Sequence, residues 1–100
     1  MNSKKVRTEH CLKSWPPFFQ AIVSDAKRHD IRRCDDRRFC LGDVLLLQEY
    51  DPVRAQYTGR EARVVITYIT SIEYPCALSS EALDKNFCIL SIRLLGECTR

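Results

Sequence analysis

Polar and apolar residues alternate strictly near the start of the chain, with Val6, Thr8, His10 and Leu12 on one face and Arg7, Glu9, Cys11 and Lys13 on the other. A period of two predicts a half-buried strand. Trp15-Pro16-Pro17 ends it, because proline fixes φ and lacks the N–H that a ladder needs, a loss that the first turn of a helix tolerates. Phe18/Ile22 and Phe19/Val23 then recur at i, i+4, which predicts a short helix over 16–24 that buries an aromatic stripe.

Further along, 28–33 reads as a second strand and Asp35-Asp36 as the turn after it. Gly42-Asp43 marks a tight turn into Val44-Leu45-Leu46-Leu47, a continuous apolar run suited to a strand covered on both faces. Tyr50-Asp51-Pro52 breaks that run, and Tyr57-Thr58-Gly59 reads as the turn that closes a long hairpin tip over 51–59. Residues 63–69 alternate again, with Val64, Ile66 and Tyr68 opposite Arg63, Val65, Thr67 and Ile69. Pro75 stops that strand's continuation, 79–85 forms a polar helical stretch, and 87–95 alternates with Cys88, Leu90, Ile92 and Leu94 inward. One early helix and five strands predict an α+β domain built on a small, partly open β-barrel, spanning 1–100 with its core over 6–95.

At 100 residues there is room for one core, and an apolar fraction of 45% with 29% charged residues excludes a disordered composition. No apolar run reaches the roughly 18 residues that cross a bilayer, and Met1-Asn2-Ser3-Lys4-Lys5 does not lead into a signal-peptide stretch, which points to a cytoplasmic protein without a membrane partner. Six cysteines invite a disulfide or zinc reading, but no Cys-x-x-Cys pair or Cys/His quartet is present. Cys11, Cys88 and Cys98 lie in or beside apolar segments, so free thiols and no metal are expected. Glycine occurs only at 42, 59 and 96, which excludes Gly-rich phosphate loops, and no cofactor is implied.

Charge changes the picture most between Lys27 and Arg38. Six basic residues (Lys27, Arg28, Arg32, Arg33, Arg37, Arg38) stand there against Asp30, Asp35 and Asp36, an excess equal to the +3 of the whole chain. A local excess beside a folded core is how an anion site is built. On a strand, Arg28, Asp30 and Arg32 share a face, so the acid can hold two guanidinium groups in place with donors left for a phosphate or carboxylate. The alternative is a solvated row of surface ion pairs.

Several motifs then fall in one order: His10-x-Leu12-Lys13-x-Trp15-Pro16, Phe18-Phe19, Lys27-x-x-Asp30-Ile31-Arg32, Asp36-Arg37-x-Phe39-x-x-Gly42-Asp43, Glu49-Tyr50-Asp51-Pro52 and Tyr57-Thr58-Gly59-Arg60. Together, over about residues 8–95, they resemble the ASCH-like (activating signal cointegrator homology) group of the PUA-like superfamily, in particular a branch of small bacterial and phage proteins. The resemblance implies a PUA-like β-barrel with a helix beside a cleft, and a motif Gly-x-Lys-x-x-Glu-x-Arg on the cleft wall. Lys27 and Arg32 match that motif; Asp25 stands in place of its glycine and Asp30 in place of its glutamate.

The first functional expectation is a nucleic-acid-binding module, its partner RNA or another single strand. Its candidate residues are Lys13, Trp15, Lys27, Arg28, Asp30, Arg32, Arg33 and Arg37. Trp15 either stacks on a base or packs over Phe18 or Phe19. The second comes from the resemblance: some ASCH-fold relatives hydrolyse amide bonds on modified nucleosides with a lysine, a hydroxyl and a carboxylate. Lys27 corresponds to that lysine, Asp30 falls where the hydroxyl is expected, and 63–69 offers no acid for the carboxylate. The third is a bacterial or phage protein-interaction module that uses the hairpin tip with Tyr50 and Tyr57. His10 and Asp43 read as structural, Asp43 bonding nearby backbone amides.

Overall fold

The computed structural model of the protein describes residues 7–99, so Val6, the expected first residue of the first strand, lies outside the described residues. Five strands and two short helices follow in the order β1 (Glu9–Ser14), α1 (Pro16–Val23), β2 (His29–Arg33), β3 (Val44–Asp51), β4 (Gln56–Thr70), α2 (Ser79–Ala82) and β5 (Phe87–Thr99). The strands form one curled sheet, a half-barrel in the order β1-β3-β4-β5-β2. β1 runs parallel to β3, and the other neighbours are antiparallel. The two strands joined by α1 are therefore the two edges of the sheet.

α1 begins where the sequence places it. Trp15 is extended (φ −68°, ψ 150°), its carbonyl accepts the Phe19 amide at 2.8 Å, and the prolines occupy the first helical positions. The helix ends in a Schellman arrangement: the Ala26 amide donates to the Ala21 carbonyl and the Asp25 amide to Ile22, both at 3.0 Å, with Asp25 left-handed at φ 67°. Asp25 thus sits in the conformation that the resembled motif gives to glycine.

α1 packs on β3 and β5 and fills the concave face of the sheet. Phe19 and Ile22 are buried there with Leu45, Leu47, Ala62, Val64, Ile66, Cys88, Leu90 and Ile92. The expected stripe is corrected at one position, because Phe18 is half exposed and the inward pair is Phe19/Ile22 at i, i+3. Phe18 points instead toward the open edge of the sheet, beside Trp15. Burying a side chain as completely as Phe19 contributes about 1.5–3 kcal/mol. Leu46, on the opposite face of β3, is also buried, as a strand covered on both sides requires.

Three further expectations change for identifiable reasons. Tyr57-Thr58-Gly59 is not a turn: β4 already starts at Gln56, and the tip of the hairpin is the four residues 52–55. Asp51 makes that short tip, its Oδ1 accepting the Val53 and Arg54 amides, with Ala55 at φ 54°. Tyr68 is exposed and Ile69 turns inward, because the ladder to β5 shifts register between Ile66 and Tyr68 and the extra residue inverts the alternation. The helical stretch expected over 79–85 is a single turn, since Leu83 is already extended.

All six cysteines are unpaired, and of the three assigned apolar settings only Cys88 is buried; Cys11 and Cys98 are exposed. Burial, with the Cys34 thiol beside it, pushes the Cys88 thiol up to about 12, so it behaves as a small apolar core residue. Among the described residues no helix is long and apolar enough to cross a membrane.

A buried His10–Asp43 pair fastens β1 to the loop that precedes β3. Asp43 Oδ2 lies 2.9 Å from His10 Nε2 and accepts the Cys40 amide at 3.0 Å, while its Oδ1 accepts the Thr8 amide at 3.3 Å. The Phe39 ring lies 4.7 Å from the imidazole. Burial raises the Asp43 carboxyl, but these hydrogen bonds and the imidazole outweigh it and hold the group below its ordinary 3.8.

A carboxyl depressed by folding contributes stability that is present above its unfolded value and lost as pH falls through the lower folded value. Urea unfolding of Asp43→Asn should therefore show a deficit of about 1–3 kcal/mol at neutral pH that narrows below pH 3.8. A deficit independent of pH would contradict this account. At the helix exit, Asp25→Gly removes the strain of a left-handed non-glycine residue, so the same measurement should find it neutral or more stable by up to about 1 kcal/mol. A clear loss would overturn that reading.

Candidate functional site

Because β1 and β2 are the sheet edges, the barrel is open between them, and a cavity of about 420 Å³ lies in the gap. β1 and the start of α1 supply Lys13, Ser14, Trp15 and Phe18; the other wall is Lys27 and His29 through Arg32. The Schellman exit of α1 makes this possible, since the Lys27 amide still donates to the Ala21 carbonyl at 2.9 Å and the chain enters β2 directly afterwards.

Asp30 organises the cationic wall. It is 9% exposed; its Oδ2 accepts Arg32 Nε at 2.8 Å, and its Oδ1 lies 3.5 Å from Lys27 Nζ. Lys27 also donates to the His29 carbonyl at 2.5 Å. Arg32 reaches across the gap, where Nη2 donates to the Lys13 carbonyl at 2.9 Å, so one side chain links the two edge strands without a backbone ladder between them. The expected clamp of Arg28, Asp30 and Arg32 is thereby corrected to Lys27, Asp30 and Arg32. Arg28 turns away and makes a two-point contact with Asp25 at 3.1 and 2.7 Å, which its position three residues after the helix exit favours over a partner on its own strand.

The opposite wall is aromatic. Trp15 and Phe18 are 52% and 50% exposed, too open for core anchors, and their rings stack with centroids 6.3 Å apart and planes 21° from parallel. Trp15 thus does pack over Phe18, but both rings border the cavity. Between the walls lies Ser14, 5% exposed, whose hydroxyl has no hydrogen-bond partner among the described residues. A buried hydroxyl left unsatisfied costs free energy, and in a cavity it is a place for a ligand's polar atom. Lys13 closes one end, its Nζ 4.1 Å from the Tyr50 ring centroid and 5.8 Å from that of Tyr57.

Of the eight candidates, Lys13, Trp15, Lys27, Asp30 and Arg32 come together here, with Arg28 outside the cavity. Arg33, at the end of β2, does not line the cavity; it pairs with Asp35 at 3.1 Å and lies over the Phe87 ring. Arg37 borders a second cavity of about 350 Å³, with Phe39, Tyr74 and Cys88. The sequence signal missed Ser14, Phe18, His29 and Ile31. Ser14 has the parity of His10 and Leu12 and could have been placed on the inner face; nothing in the local pattern separates Phe18 from Phe19. Among the described residues no three His, Cys, Asp or Glu side chains gather as metal ligands.

Fold and site define a small α+β half-barrel with a basic, aromatic-walled cavity at its open edge. The family described as Domain of unknown function (DUF3850) matches residues 9–92, and the chain belongs to it. That span contains every residue lining the cavity. No curated protein matches the chain.

Proposed function

We propose that the protein binds single-stranded RNA through the cavity between β1 and β2. The observation that carries this reading is the exposed, stacked Trp15–Phe18 pair facing Lys27 and Arg32 across one cavity. Aromatic faces beside cations are what an unpaired strand requires, since bases stack on the rings while phosphates meet the charges. Three cations against one carboxylate give the cavity a net positive charge, and Asp30 holds Lys27 and Arg32 in position. The buried Ser14 hydroxyl adds a polar contact for a base edge or a ribose. The ASCH-like, PUA-like resemblance agrees with this placement, because its motif residues Lys27, Asp30 and Arg32 are the cationic wall.

A second reading has one observation in its favour. Lys27, Ser14 and Asp30 bring an amine, a hydroxyl and a carboxylate into one cavity, the groups that the amidohydrolases among ASCH-fold proteins use on modified nucleosides. The hydroxyl then comes from β1, whereas the sequence comparison had set Asp30 at that position. The ion pair from Lys27 to Asp30 suits phosphate binding better than a neutral amine.

Amide-shift mapping with a short single-stranded RNA should move resonances of Ser14, Trp15, Lys27 and Arg32. Lys27→Ala and Arg32→Ala should each weaken binding by about 1–3 kcal/mol and lower the salt slope by about 1, whereas Lys85→Ala, which does not line the cavity, changes the affinity little. Asp30→Asn should also weaken binding although it removes a negative charge, because both cations lose the group that orients them. Equal losses for Lys27 and Lys85, or tighter binding by Asp30→Asn, would leave only a solvated basic face. Hydrolysis of acetylated cytidine that disappears in Lys27→Ala would move the assignment to the enzyme.

A further inference from the structure

Lys13 belongs to two constellations at once. It lines the cavity with Trp15 and Phe18, and its ammonium lies 4.1 Å from the centroid of the Tyr50 ring and 5.8 Å from that of Tyr57. Tyr50 and Tyr57 face each other across β3 and β4, their rings 5.1 Å apart and edge to face. Tyr57 keeps 51% of its surface exposed. The ladder shifts register immediately before this pair, between Gln48 and Tyr50, which sets the angle at which the hairpin stem carries its rings.

Lys13 thus borders two aromatic pairs, lining the cavity with Trp15 and Phe18 and setting its ammonium against Tyr50 and Tyr57. The nearby acids each lie 3.9 Å from an arginine, Glu49 from Arg60 and Asp51 from Arg54, which offsets their repulsion of an anion passing over Lys13. Glu49 is buried and bonded to the Thr58 hydroxyl at 2.6 Å, and Asp51 is occupied by the amides of the hairpin tip. A nucleic-acid strand offers the complementary order, planar base, phosphate, planar base, and proteins that hold single strands pair a basic track with successive stacking rings.

We propose that Tyr57, supported edge-on by Tyr50, is a second base-stacking subsite, so that a single-stranded RNA runs from the β1/β2 cavity over Lys13 onto the stem of the β3–β4 hairpin. The inference rests on the RNA reading of the cavity and deepens it by setting the direction and length of the bound strand. Trp15 and Phe18 take one base, Lys13 meets the following phosphate, and Tyr57 takes the next base. Tyr50 acts as a positioning residue that holds the Tyr57 ring and the Lys13 ammonium.

The test is a length series with adenosine monophosphate and oligoadenylates of two, three, four and eight nucleotides, titrated by calorimetry or amide shifts against the whole chain. Affinity should rise by tenfold or more from one nucleotide to three or four and then level off, apart from the statistical gain of a longer strand. Tyr57→Ala should lower the trinucleotide affinity by about tenfold, leave the mononucleotide within about twofold, and be rescued by Tyr57→Phe, which keeps the ring. Trp15→Ala should weaken both ligands. An unchanged trinucleotide affinity in Tyr57→Ala, or an equal loss for monomer and trimer, overturns the second subsite and leaves the cavity reading standing. Wild-type protein that binds no member of the series overturns the RNA reading and this inference with it.

Discussion

The structure depends on Phe19 and Ile22 of α1 filling the concave face of a sheet that has too few strands to close on itself. Five curled strands leave an apolar hollow, and the short helix seals it by packing on β3 and β5. Closure by strand pairing would remove both edges; closure by a helix leaves them in place. α1 joins β1 directly to β2, the two edges, so the helix that completes the core also brackets the gap between them. The cavity follows from how the core is closed.

Buried acids do most of the fastening around that core. A carboxylate out of water must find donors, and each partner it takes ties down a second element. Asp43 takes the Thr8 and Cys40 amides and His10, joining β1 to the approach of β3. Glu49 takes the Thr58 hydroxyl and lies 3.9 Å from Arg60, whose guanidinium also bonds Gln20 of α1 and Glu97 of β5 and covers the Phe19 ring. Asp30 differs in that both of its partners, Lys27 and Arg32, line an open cavity. The same physical demand yields a structural pin in two places and a preset cationic wall in the third.

Most elements were legible in the sequence because each carries a strong local signal. Two prolines start α1, alternation marks β1 and β5, and the run from Val44 to Leu47 marks a strand covered on both faces. The left-handed exit at Asp25 was legible through the resemblance, and the bond of Asp43 to the nearby Cys40 amide through its turn; that His10 pairs with Asp43 rather than near the helix start, and that Asp43 also takes the Thr8 amide, was not. What escaped depends on register or on contacts distant in sequence. One extra residue between Ile66 and Tyr68 exchanges the faces of Tyr68 and Ile69, and a bulge leaves no mark in hydropathy. Tyr57-Thr58-Gly59 has turn composition, yet Asp51 closes the hairpin sooner by capping its own tip. At the site, the parity of β2 paired Asp30 with Arg28, whereas the helix exit delivered Lys27 within reach and gave Arg28 to Asp25.

Charge counting alone gives the wrong picture of the basic segment, and the reason bears on function. Of its six cations, Arg28 and Arg33 are neutralised by Asp25 and Asp35, and Arg37 and Arg38 border a different cavity. Lys27 and Arg32 remain at the open edge, where their pairing with one shared carboxylate leaves a small net charge. A single strand held there, as we propose, would gain little from a broad electrostatic field, which is weak and screened within about 10 Å at ordinary salt. What the cavity offers such a strand is short range: exposed rings, cations held by a shared carboxylate, and a buried hydroxyl without a hydrogen-bond partner among the described residues. For the proposed ligand the exposed aromatics count as much as the cations, because a single strand presents flat bases as well as phosphates.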